Sequence, residues 1–195
     1  MLEDKSIGFA ITGSFCSMED MFFVLRTLVK QAKKVHVIVS NSVVTCDNRF
    51  YSAKDLMTKI RTISPRIITR IEEVEPFGPS TPLDALLIYP CTSNTLGKIT
   101  HGINDTPVTM ACKSTLRNNK PIILGIYTND ALRGSGENIM RIINTKNFYL
   151  VPMFQDDIET KPYSMLANKD KVIQTLTLAL DHKQIQPIFE GGLYA

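Results

Sequence analysis

Residues 7–42 read IGFAITGSFCSMEDMFFVLRTLVKQAKKVHVIVSNS, and this stretch decides the fold. Ile7–Ile11 is a continuous apolar run rather than an alternating one, which marks a strand buried on both faces. It stops at Thr12-Gly13-Ser14. A helix is expected from about Ser17, with Ser17 placed to cap its first amides and Asp20 suited to its positive end. Met21, Phe22, Leu25, Leu28 and Val29 recur at helical spacing, and Lys30, Lys33 and Lys34 gather at the negative end. Val35–Val39 (VHVIV) reads as the second strand, ending in Ser40-Asn41-Ser42. Strand, turn, helix and parallel strand make a βαβ unit, which is right-handed for steric reasons.

The same grammar continues outward. A second helix is expected after Ser52, where Asp55 completes a capping signature. Pro65–Pro82 reads as a short strand or helix and then an irregular loop. Leu83–Tyr89 is a clear buried strand, followed by the loop Pro90–Thr95 and a helix carrying Leu96, Ile99 and Ile103. A helix over Pro107–Arg117, a strand over Pro121–Ile126, a helix near Glu137–Asn144 and a strand near Phe148–Val151 come next. The last helix, Lys169–His182, puts Val172, Ile173, Leu176, Ala179 and Leu180 on one face. Pro187 ends it, and Gly191-Gly192 reads as a mobile tail. The expectation is one α/β domain over 1–187, three layers (αβα) around a doubly wound, mostly parallel, Rossmann-like sheet, with a flexible tail at 188–195.

Composition narrows the function. The chain has 195 residues, 44% of them hydrophobic, enough for a core without disulfides or metal. A net charge of +3, spread along the chain, argues against a nucleic-acid partner and suits a small anion. Cys16, Cys46, Cys91 and Cys112 form no CxxC pair, so neither a zinc site nor a dithiol motif is expected. No apolar run reaches membrane-spanning length and no signal-peptide pattern appears, which points to the cytoplasm and reduced thiols.

In an open α/β sheet, ligands bind beyond the carboxyl ends of the strands. That rule selects the loops Thr12–Ser17, Ser40–Thr45, Pro90–Thr95 and Tyr127–Gly136. Three are rich in Ser, Thr, Asn and Gly, which offer hydroxyls and close backbone approach, as a phosphate requires. The dinucleotide fingerprint is absent: only Gly13 follows the first strand, and Ser40 rather than an acid ends the second. FMN therefore fits better than NAD. His36, His101 and His182 read as structural, and no metal-ligand spacing or Ser-His-Asp order stands out. No catalytic residue is assigned. Of the cations near these loops, Arg49 and Arg133 lie on the ligand side and suit the carboxylates of a small dicarboxylate substrate.

The stretch YPCTSNTLGKITHGINDTPV (Tyr89–Val108) resembles the P-A-S-A-N-T segment of the flavoprotein family, which includes flavin-dependent cysteine decarboxylases and flavin prenyltransferases. Pro90, Ser93, Asn94, Thr95, Lys98, Gly102 and Asp105 match that pattern. The resemblance implies FMN contacts from Thr12, Gly13, Ser14, Phe15, Ser40, Pro90, Cys91, Thr92, Ser93, Asn94, Thr95, Thr128 and Asn129. Other segments, among them TCDNRF (Thr45–Phe50), EPFGPSTPLDALLIYP (Glu75–Pro90) and MRIINTKNFYLVPMFQDD (Met140–Asp157), are closer to one branch of the family. That likeness runs from about Lys5 to Pro187. It implies a role in forming dipicolinate in the mother cell of a sporulating bacterium, beside an A subunit that resembles an NAD(P)-binding dehydrogenase. It also implies self-association. The decarboxylases' catalytic histidine has no counterpart in 41–64, and Tyr127-Thr128 replaces the Pro-x-Met of their substrate loop, so cysteine decarboxylation is disfavoured. Two rivals stay open: a stand-alone FMN-dependent decarboxylase or prenyltransferase, and a non-catalytic subunit that activates its partner.

Overall fold

The structure, a computed structural model, describes residues 2–191. Its sheet opens with β1 (Ser6–Ile11), followed by α1 (Met18–Gln31), β2 (Lys34–Val39), a short α2 (Asn41–Thr45) and α3 (Ala53–Ile63). β3 (Ile67–Ile68), β4 (Ala85–Cys91), α4 (Ser93–Thr100) and α5 (Pro107–Arg117) come next. The chain continues through β5 (Ile122–Thr128), α6 (Gly136–Ile143), β6 (Phe148–Leu150), β7 (Met153–Gln155), β8 (Met165–Ala167) and α7 (Val172–Leu180). The order across the sheet is β3-β2-β1-β4-β5, with β6 parallel to the first half of β5. The antiparallel pair β8-β7 lies beside the second half of β5. Every pairing from β3 across to β6 is parallel.

Alternate residues of each central strand feed opposite cores. Phe9, Val37, Val39, Leu87 and Tyr89 pack under α1, α3 and α7. Ala10, Ile38, Leu86 and Ile88 pack under α4, α5 and α6. This explains the unbroken apolar runs: with helices on both faces neither side of the pleat can be polar. Between Tyr89 and β5 the packing is close enough to require glycine. A Cβ on Gly125 would overlap the Tyr89 ring.

Several local expectations are corrected. Ser17 makes no side-chain cap; Phe15–Ser17 form a 3-10 turn, and the Ser17 hydroxyl instead pairs with Ser14 at 3.1 Å. The Ser40–Thr45 loop is mostly α2, and Pro90-Cys91 belong to β4 rather than to the loop after it. Pro65–Pro82 holds only the two-residue β3 and two 3-10 turns, because prolines interrupt any longer ladder. The β7–β8 hairpin has no counterpart among the expected elements, since three-residue strands give too little periodicity to read. The expected tail at 188–195 begins pinned. Met153 N–H donates to the Ile188 carbonyl at 2.8 Å and Glu190 N–H to the Met153 carbonyl at 2.7 Å. Of the expected Gly191-Gly192 mobile end, residues from 192 onward lie outside the described residues. Among the described residues, no helix is long and apolar enough to cross a membrane.

Candidate functional site

β1 and β4 are neighbours, yet the helices after them pack on opposite faces of the sheet. The chain therefore leaves the two strand ends toward opposite faces, and a crevice opens above this switch point. Thr12 holds its floor together. Its hydroxyl donates to the Pro90 carbonyl at 2.7 Å and accepts from the Thr92 N–H at 3.0 Å. Thr92 in turn caps α4, accepting from Thr95 N–H at 3.4 Å.

The cleft above, about 370 Å³, is lined by Gly13, Ser40, Asn41, Ser42, Thr92, Asn94, Thr95, Lys98 and Thr106. Ser40 precedes α2 without capping it, and its hydroxyl pairs with that of Ser42 at 2.9 Å. A Cβ on Gly13 would stand 2.7 Å from the Ser42 hydroxyl oxygen and 3.3 Å from its Cβ, so a side chain here would displace Ser42 on this wall. Lys98 is the cation of this lining, and both of its Asp105 contacts are short, at 2.8 and 3.0 Å. That ammonium holds the Asp105 carboxyl below the usual carboxylate range. Hydroxyls, the first amides of α4 and an ammonium make a donor set for a phosphate. Among the described residues no carboxylate lines the cleft, so nothing there would grip a ribose diol as a dinucleotide site does. The residues present fit the phosphate end of FMN.

Of the expected contacts, Gly13, Ser40, Thr92, Asn94 and Thr95 meet around this cleft, and Ser93 is the first residue of α4. Thr12 and Pro90 lie beneath as its frame, and Ser14 and Phe15 lead into α1. Cys91 turns its side chain into the core, where burial pushes the thiol up to about 12 and makes it a poor nucleophile. Thr128 and Asn129 do not line the cleft. The Thr128 hydroxyl is bonded to Asp130, and exposed Asn129 accepts from Ser164 at 3.4 Å. Arg133 stacks on the Tyr163 ring 3.5 Å from its centroid, and Arg49 lies over Phe50 at 4.7 Å. Neither arginine is part of the cleft lining.

The histidines stand apart as well. His36 packs edge-on against Phe77 at 5.0 Å, and burial, helped by Lys34 and Arg66, lowers it to about 4. His101 closes α4 with its ring on the Gly97 carbonyl at 2.8 Å. His182 meets the Tyr149 hydroxyl at 3.3 Å, beyond the end of α7.

Asn41, Ser42, Lys98 and Thr106 join the site beyond the contacts expected residue by residue, although Asn41 and Ser42 fall in the expected Ser40–Thr45 loop and Lys98 among the motif matches and nearby cations. Lys98 is within reach of sequence reasoning: on a helix it shares a face with Asn94 and Thr95, four and three residues earlier. Thr106 has no such signal. It arrives through the turn at Gly102, whose φ of +70° reverses the chain after α4.

Comparison with known proteins agrees with this architecture. The model of the flavoprotein family matches residues 1–181. The dipicolinate synthase B subunit of Bacillus subtilis (strain 168) is 42% identical over 188 residues, covering 96% of this chain and 94% of that protein. The crystal structure of the dipicolinate synthase B subunit from Bacillus halodurans C has a TM-score of 0.89 at 39% identity, covering 98% of this chain and 99% of that one. The FMN-dependent cysteine decarboxylase SpaF, at 19% identity, shares the fold with a TM-score of 0.65 over 93% of this chain and 98% of its own.

Proposed function

The chain belongs to the flavoprotein family, and from that premise we propose that it is the B subunit of a dipicolinate-forming oxidoreductase. In this reading it works with the A subunit of dipicolinate synthase on a dihydro- or 4-hydroxytetrahydrodipicolinate precursor. Ring aromatisation is an oxidation, with water lost when the hydroxylated form enters. The hydride acceptor, NAD(P), sits on the A subunit. The observation that carries the reading is the convergence of Gly13, Ser40, Ser42, Thr92, Asn94 and Thr95 on one cleft with the Lys98 ammonium.

FMN, when bound, supplies reversible two-electron chemistry. The chain's own residues do the rest. Ser40, Ser42 and the first turn of α4 hold the phosphate, Lys98 balances its charge, and Gly13 keeps the approach clear. Thr12 fixes the spacing of the β1 and β4 ends, so the donors are in place before the ligand arrives. Self-association of this chain is part of the same proposal.

Two measurements test it. Purified chain is titrated with FMN and followed by visible absorbance and flavin fluorescence. The A subunit, this chain and the reconstituted pair are then each assayed for dipicolinate. Saturable flavin uptake and product only from the pair support the proposal. Full activity of the isolated A subunit contradicts it. Flavin uptake with turnover by this chain alone favours the stand-alone enzyme instead.

A further inference from the structure

Asp105 lies outside the cleft lining, yet both of its oxygens are bonded to the ammonium of Lys98, which is part of that lining. We infer that Asp105 is a positioning residue for the anion site: it fixes Lys98 against the cleft and, by closing the turn between α4 and α5, brings Thr106 to the same wall. The inference deepens the functional reading above, and it rests on that reading only for the cleft's taking a phosphate.

The turn is the first observation. α4 ends at Thr100, and the chain reverses at Gly102, where φ is +70°. Lys98 holds the returning chain twice. Its carbonyl accepts the Ile103 N–H at 2.9 Å, and its ammonium donates to Asp105 at 2.8 and 3.0 Å. Asn104 adds a side-chain bond to the Gly102 carbonyl at 2.7 Å. The next residue after Asp105 is Thr106, which caps α5 and lines the cleft. The Thr106 hydroxyl accepts the Thr109 N–H, and the Thr109 hydroxyl accepts the Thr106 N–H, each at 3.1 Å. Thr106 is thus held from the α5 side by its capping box and from the α4 side by the Lys98–Asp105 pair.

The state of the ammonium is the second, independent observation. A lysine head carries three donors on a flexible four-carbon stem, and holding it in one place costs conformational entropy. Asp105 engages the head before any ligand arrives, and one donor is left over for an anion. The Lys98 side chain is 24% exposed and that of Asp105 is 55% exposed, so the carboxylate is the outer partner. Water around it weakens its repulsion of an anion in the cleft. A pair this exposed adds little to stability, so its effect falls on binding rather than on folding.

Two roles for this carboxylate predict opposite signs. As a charge alone, Asp105 repels an anion, and its removal tightens binding. As a positioning residue it holds Lys98 and Thr106 in place, and its removal weakens binding although the protein becomes more positive.

The test is titration of the full chain with inorganic phosphate and, separately, with FMN. Asp105→Asn is expected to weaken phosphate binding by about fivefold or more, and Asp105→Glu to recover most of the wild-type affinity. On a Lys98→Met background Asp105→Asn is expected to add no further loss, because the effect runs through Lys98. Melting temperatures should differ little across the set. Asp105→Ser is read beside Asp105→Asn, so a folding defect in one substitution does not decide the result. Unchanged or tighter phosphate binding in the folded variants overturns the inference, as does an equal loss with and without Lys98. Phosphate binding that weakens in Asp105→Asn, in a protein that takes up no FMN, supports the inference and counts against the flavin reading. A wild type that binds neither probe overturns both.

Discussion

Thr12 donates its hydroxyl to the Pro90 carbonyl at 2.7 Å across 78 positions of sequence, and so ties the end of β1 to the end of β4. The same oxygen accepts the Thr92 N–H, which sets the start of α4. Thr12→Val keeps the shape and removes both bonds. The Pro90 carbonyl keeps the Thr12 N–H at 3.3 Å, but the half-buried Thr92 N–H is left unpaired, at an expected cost of about 1–3 kcal/mol, seen as a lower urea midpoint. FMN affinity should fall with it, and Thr12→Ser should recover most of both.

Gly13 is a purely steric test. In Gly13→Ala the new methyl meets the Ser42 hydroxyl oxygen at 2.7 Å, on the wall of the cleft. FMN affinity is expected to drop about tenfold or more while thermal stability changes little. Adding Ser42→Ala removes the opposing oxygen and should restore part of the loss. Independent, additive losses in the double variant would argue that the two residues do not share a wall.

Lys98 tests the charge of the site. Lys98→Met removes the cation of the cleft and also the partner of Asp105. Affinity for inorganic phosphate and for FMN should fall by a similar factor, about tenfold, because the loss is at the phosphate. A loss confined to FMN would place Lys98 against another part of the ligand.

The Tyr89 and Tyr127 hydroxyls are hydrogen-bonded at 2.5 Å, and Tyr127 donates on to the Ala167 carbonyl at 3.0 Å. Burial pushes both phenols above their ordinary range, so they stay neutral at any working pH. The pair links β4 and β5 to the β7–β8 hairpin. Tyr127→Phe should destabilise by about 1–3 kcal/mol, because it strands the Tyr89 hydroxyl. Tyr89→Phe with Tyr127→Phe should cost less than the sum of the two single changes.

His36 gives the pH dependence. Burial, with Lys34 and Arg66 adding, lowers it to about 4, so the folded chain binds fewer protons than the unfolded one between about 4 and the ordinary histidine value. Stability contributed by neutral His36 is therefore fully present above about 6.5 and is lost as pH falls toward about 4. Urea midpoints measured across that interval should fall with pH, and His36→Phe should remove the upper part of the fall.

Legibility in the sequence follows burial. IGFAI and ALLIY are covered by helices on both faces, so their apolar runs are unbroken and readable, VHVIV is interrupted only at half-buried His36, and α5 is legible at Pro107–Arg117 because Thr106 and Pro107 mark its start. The hairpin of β7 and β8 is invisible because each strand has three residues and borrows its register from β5. At the site, the strand-end rule finds the loops but not which side chains face inward. Cys91 sits in the same motif as Thr92, yet the pleat sends it into the core.

The central claim, that the cleft at the β1–β4 switch point is a flavin phosphate site, is tested most directly by FMN titration of wild type and Gly13→Ala side by side, read by quenching of flavin fluorescence. The account predicts saturable uptake by wild type, competed by inorganic phosphate, and clear weakening in the variant. Absent uptake by folded wild type, or equal affinity in the two proteins, contradicts it.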